Sequence, residues 1–184
     1  MIPFSFDPFQ NRLSRDIRNS LSEAFARCLT TDDLAPAQAV ADHYRENPLQ
    51  SVHRDYIEDR VTRYARALAI IRRTETTAAW EQGLILWDLG LFFEVHEVLE
   101  HAWHGARGTK REVLQAMIRA AGFYIKLEAG YPEAAAKLAD KAATVLTRHR
   151  DSLPPAFPLE SLLDCLRRRE PVAPLLGQGI VADY

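Results

Sequence analysis

Gly90–Trp103, GLFFEVHEVLEHAW, decides how this 184-residue chain is read. Three of its six histidines, His96, His101 and (one residue beyond) His104, stand here beside Glu94, Glu97 and Glu100. On a helix each residue advances ~100°. With His96 at zero, Glu100 falls near ~40°, His104 near ~80°, Glu97 near ~100° and His101 near ~140°. All five share less than half of the circumference. Val95, Val98, Leu99 and Ala102 take most of the rest. The spacing predicts an apolar helix with one polar wall.

Outward from this stretch, the same periodicity predicts a helical core over residues 76–150. One helix covers Ala79–Leu89 and stops at Gly90, as helices often do at glycine. The glutamate-rich helix covers Leu91–His104, and a basic loop follows, between Gly105 and Arg111. Two more helices cover Glu112–Ala129 and Pro132–Arg150, with Pro132 suited to the first helical position. Gly90, Val98 and Ala102 echo Gly130, Leu138 and Ala142 at a spacing of 40. Each copy is a helix, a glycine turn and a helix, which resembles a tetratricopeptide-type hairpin.

Residues 1–75 read as an N-terminal helical extension packed on that core. Leu13, Ile17, Leu21, Phe25 and Cys28 form one apolar stripe, and Ile57, Val61, Tyr64, Leu68 and Ile71 another. Thr30–Asp33 break the first helix, a short one covers Ala37–Arg45, and a longer one Val52–Arg73. Arg60, Arg63 and Arg66 are read as a solvated face, with Asp59 and Arg63 paired one turn apart. Thr76 or Thr77 is expected to cap the next helix. Residues 151–184 read as a final helix, Leu159–Arg169, and a tail from Pro171 draped on the surface or used against another chain. No segment favours a strand. The fold expected is all-α: a compact multi-helix array of helical hairpins.

The totals set limits on partners. A net charge of -2, with 11 basic and 11 acidic residues in the first 75, gives no field for nucleic acid or an anionic membrane. The longest apolar run, GLILWDLGLFF, is too short to span a bilayer and contains Asp88. Cys28 and Cys165 are isolated, and no signal peptide is recognisable, so a reduced cytoplasmic protein is expected. The striped helices and apolar tail point to a homo-oligomer.

The polar wall admits several chemistries. Glu97, His101 and His104 fall within a ~60° arc, a donor set suited to zinc, iron or manganese. It does not form an H-E-x-x-H motif, since Glu100 stands where the second histidine would be. Pairs at i,i+4 (His96 with Glu100, Glu97 with His101, Glu100 with His104) could serve general acid–base catalysis. Alternatively the hairpins present a groove to a peptide or protein partner. The plainest reading is a buried network in which the glutamates pair with the histidines, or with Gln115 and Arg119, and fix helix docking. Phe92, Phe93 and Trp103 are expected in the core. The function expected is a binding or scaffold module with a buried His/Glu network and no cofactor. The alternative is a metal-dependent or acid–base, hydrolase-type enzyme.

Gly90, Phe92, Phe93, Glu94, His96, Glu97, Glu100 and Trp103, followed by Leu114, Gln115, Met117, Ile118 and Ala121, resemble a known family, domain of unknown function 309. Its pattern is approximately G-x-[FY]-[FY]-E-A-H-E-x-[LW]-E-x-x-W, then L-Q-G-[LI]-I-Q-x-A. The resemblance covers about residues 79–146. Val95 replaces an alanine, Ala116 a glycine and Arg119 a glutamine, and neither His101 nor His104 belongs to the pattern. The resemblance implies an all-helical core and no assigned reaction. It implies a common site of Glu94, His96, Glu97, Glu100 and Gln115.

Overall fold

A computed structural model describes residues 6–177. Among these the regular structure is helical: α1 (Arg12–Thr31), α2 (Ala35–Arg45), α3 (Ser51–Thr74), α4 (Ala79–Asp88), α5 (Phe92–Gly105), α6 (Gly108–Glu128), α7 (Pro132–Arg148), a 3-10 turn (Arg150–Ser152) and α8 (Leu159–Arg168). The chain divides between Thr74 and Glu75 into two compact units.

In the first unit, the Asn11 side chain caps α1 by accepting from Ser14 N at 2.9 Å. Ile17, Leu21, Phe25 and Cys28 are buried as the stripe predicts, but Leu13 is exposed and Ser14 takes the inward place. Phe25 stacks on Tyr64 of α3 at 4.3 Å. Thr30 and Thr31 continue α1, and Asp32, in the left-handed conformation, ends it. The expected Asp59–Arg63 pair forms at 2.8 Å.

His53 on α3 is 3% exposed, and its Nε2 lies 3.1 Å from Ser14 Oγ of α1. Phe6 meets the ring edge-on at 5.9 Å. Burial lowers the His53 pKa, because the imidazolium would lose its hydration. A folded value below the unfolded one of about 6.5 means that acid favours the unfolded chain. Stability is therefore complete above that value and is lost as pH falls from it through the folded value. Amide protection in α1 and α3 is expected to drop between pH 7 and pH 5. In His53→Gln, which takes up no proton, the drop should vanish. An equal drop in both proteins would assign the pH dependence to other groups.

In the second unit each helix packs mainly on its neighbour in sequence: α4 on α5, α5 on α6, α6 on α7 and α7 on α8. The α4–α5 and α6–α7 turns share one backbone pattern. Leu91 N donates to Leu86 O at 2.9 Å and Gly90 N to Trp87 O at 2.9 Å. Forty residues on, Tyr131 N donates to Lys126 O at 2.9 Å and Gly130 N to Leu127 O at 3.0 Å. Gly90 and Gly130 supply the positive φ, 67° and 81°, that this helix-ending motif needs. Each hairpin also sets a helical glycine against a leucine. A Cβ on Gly83 would come within 3.0 Å of Leu99, and one on Gly122 within 3.2 Å of Leu138.

Three local expectations are corrected here. Neither Thr76 nor Thr77 caps α4: the N-cap is Ala78, and buried Thr76 instead accepts from Gln82 Nε2 through its carbonyl at 3.1 Å. The basic loop shrinks to Ala106 and Arg107, because Gly108 enters α6 at φ 56° and residues 109–111 are already helical. The core aromatics divide: Phe92 is buried, whereas Phe93 and Trp103 are half-buried.

After α8 the chain runs back over α4 as a strap. Trp87 Nε1 donates to Pro174 O at 2.9 Å. Leu176 N and Gly177 N donate to the two carboxylate oxygens of Asp88 at 2.7 and 2.8 Å. Leu176 is buried, while Val172 and Leu175 are 77% and 59% exposed. The draped tail is thus seen as far as Gly177, and the rest of it lies outside the described residues.

Candidate functional site

Helix α5 forms because Gly90 closes the preceding helix and a long apolar face follows. Val95 and Leu99 bury that face, Leu99 against Gly83 of α4. Glu94 lies in the first turn, where an acid is favoured by the helix dipole. It is also buried, whereas none of the five residues of the polar wall is.

Those five lie at the surface. His96 Nδ1 is 3.3 Å from Glu97 Oε1 and 3.7 Å from Glu100 Oε2. The first is a weak hydrogen bond, with the imidazole N–H donating, and the second is too long for one. The side chains of His96, Glu97 and Glu100 are 32%, 48% and 43% exposed. A buried network is therefore not what these three residues make. Among the described residues neither Gln115 nor Arg119 hydrogen-bonds to them, and no lysine or arginine pairs with Glu97 or Glu100.

One donor atom from each of His96, Glu97 and Glu100 can be chosen so that all three lie within 4.8 Å. The trio expected from the helical arc, Glu97, His101 and His104, is not brought together. The projection counts angle and ignores rise. Glu97 and His104 are seven residues apart, ~10.5 Å along the axis, whereas His96, Glu97 and Glu100 occupy little more than one turn. His101 and His104 are both exposed, and His104 meets the Trp103 ring edge-on at 5.2 Å.

Aromatic rings flank the trio. Phe93 lies parallel to the His96 ring at 6.3 Å, one turn toward the start of α5. Toward the end, the Arg111 guanidinium sits 3.7 Å from the centre of the Trp103 ring, a cation–π contact between α5 and α6. Trp103 Nε1 is buried without a hydrogen-bond partner among the described residues. Gln115 is half-buried on α6. The surface is an acidic, imidazole-bearing ridge with one aromatic wall.

Two features escaped the sequence reading. Asp88 stands in the sequence as a charge in an apolar run, which hints at a buried acceptor but does not identify its donors. Lys110, expected in a loop, stands in the first turn of α6, just after Gly108 with its positive φ.

Residues 80–138, from α4 into α7, match the model of a family described as Domain of unknown function (DUF309). The resemblance is thus supported over this stretch, which contains all of α5 and α6. No curated protein and no solved structure matches the chain. Among the described residues no helix is long and apolar enough to cross a membrane.

Proposed function

We propose that the second unit is a binding module, and that His96, Glu97 and Glu100 receive a cationic side chain of a protein or peptide partner. The supporting observation is the pair of carboxylates one turn apart, joined to one imidazole and to no lysine or arginine among the described residues. Like charges at this spacing repel, so a guanidinium or ammonium group placed between them relieves a cost already present in the free protein. Arginine suits the site better than lysine. Its planar fork can bond both carboxylates, and it stacks on an aromatic face such as Phe93.

Each half-exposed ion pair contributes up to about 1 kcal/mol. Two together are expected to change affinity about tenfold. The test is an array of arginine- and lysine-containing peptides, with affinities measured by fluorescence anisotropy. Wild type should select arginine-bearing sequences with salt-dependent affinity. Glu97→Gln/Glu100→Gln should bind them about tenfold more weakly and with little salt dependence. Equal binding by wild type and the double variant would remove this subsite from the reading.

A second reading rests on the same trio. Its donors lie close enough to share one divalent ion, and imidazole with two carboxylates suits zinc, iron or manganese. His96 would then be held through one ring nitrogen as an acid–base or ligand group of a hydrolase-type enzyme. Elemental analysis of untagged protein separates the two. A stoichiometric metal, lost in His96→Ala, favours the metal reading over the peptide one.

A further inference from the structure

A cleft of about 380 Å³ opens in the second unit, away from the α5 trio. Its apolar wall comes from three separate segments: Trp80 of α4, Val113 and Leu114 of α6, and Leu153 and Pro154 after the 3-10 turn. Phe157 packs against the Trp80 ring at 5.5 Å. Thr109, Lys110 and Ser152 supply the polar part of the lining.

That polar part has the character of an anion site. Among the described residues Lys110 pairs with no acid, and the hydroxyls of Thr109 and Ser152 make no hydrogen bond. Glu112 is engaged by His149 at 2.7 Å and Glu160 by Arg150 at 2.7 Å, while Asp151, beside Ser152, is exposed and pairs with no cation among the described residues. Thr109 and Lys110 lie in the first turn of α6, which no side chain caps. The positive end of the helix dipole therefore adds to the lysine charge. The volume falls in the range of small-ligand sites, which are mostly apolar with a few placed polar groups.

We infer that this cleft binds a small monocarboxylate with a compact apolar body, an aromatic or branched-chain acid. The apolar body rests on Trp80, Leu114 and Leu153, and the carboxylate meets Lys110 and the two hydroxyls. A cationic ligand would face the lysine, and a purely apolar one would leave those donors unused. A second protein chain would have to enter between three segments, so a small molecule is the better occupant.

The probes are 3-phenylpropionate, 3-phenylpropanol and 3-phenylpropylamine, titrated into the full chain and followed by the Trp80 indole resonance. The acid should bind saturably, the alcohol about tenfold more weakly, the loss expected for a charge-assisted contact, and the amine more weakly still. Lys110→Gln alters an exposed side chain and should leave the fold intact while bringing the acid to the level of the alcohol. Glu97→Gln/Glu100→Gln should leave acid binding unchanged, which separates this site from the α5 ridge. The inference is overturned by any of three results: no saturable shift at Trp80, equal affinity for acid and alcohol, or undiminished acid binding in Lys110→Gln.

Discussion

Trp87→Ala is expected to cost the second unit about 3–5 kcal/mol, the range for removing a fully buried tryptophan. Trp87 is 1% exposed and meets two further rings edge-on, Phe92 at 5.2 Å and Tyr124 at 5.3 Å. Those two stack on each other at 4.7 Å, so the three rings pack as a block spanning α4, α5 and α6. Alanine would leave a cavity that this block cannot easily fill, and would free the carbonyl of Pro174. Burial raises the Tyr124 phenol well above its ordinary range, because the phenolate would lose its hydration. Opening a hole beside it admits water but does not restore packing. Urea unfolding followed by far-UV circular dichroism measures the loss. Trp87→Phe keeps a ring and loses only the N–H, and should cost about 1–2 kcal/mol. A loss below about 1.5 kcal/mol for alanine would show that the rings repack, contrary to a block held from three sides.

Asp88→Ala is expected to cost about 2 kcal/mol and to release the strap. Both carboxylate oxygens accept backbone N–H groups, so alanine orphans two donors at once. Burial pushes the Asp88 carboxyl up, while the N–H groups of Leu176 and Gly177 pull it down, with burial the larger influence. The ionised group therefore bears a desolvation cost that its two bonds do not wholly offset, and removing it recovers part of that cost. This keeps the expected loss near 2 kcal/mol rather than the sum of two orphaned donors. Hydrogen exchange at the Leu176 and Gly177 amides should accelerate, with faster exchange of the Trp87 indole N–H. Asp88→Asn keeps one acceptor but turns N–H toward N–H, and should fall between. Unchanged protection at Leu176 in the alanine variant would mean that burial of its side chain alone holds the strap.

The helices were largely legible because their stripes are long. Ile17, Leu21, Phe25 and Cys28 recur at helical spacing and are all buried, as are Leu159, Leu162, Leu163 and Leu166. Gly90 and Gly130 were legible as stops for a local reason, since the helix-ending motif needs a positive φ. The short connections were not. Gly108 can begin a helix as well as end one, and only the packing of α6 decides which. The candidate site was legible as a helix and misread as a constellation. Angle alone put Glu97 with His104, and axial rise put it with His96 and Glu100. Burial was misjudged because hydrophobic neighbours at 92, 95 and 99 say where one face goes and nothing about what covers the other. The latch at Asp88 could not be found from the sequence, because its donors are backbone groups 88 and 89 residues away.

The order of packing in residues 75–177 has a kinetic meaning. Helices that lean on the next helix in sequence need only short searches, and chains dominated by such local contacts fold fast. The strap is different, because it joins positions 88 residues apart. The entropy of closing so long a loop grows only logarithmically with its length, but it is recovered only when the docking surface on α4 already exists. The strap therefore zips on last and frays first, leaving a chain whose helices can stand before its end is tied down.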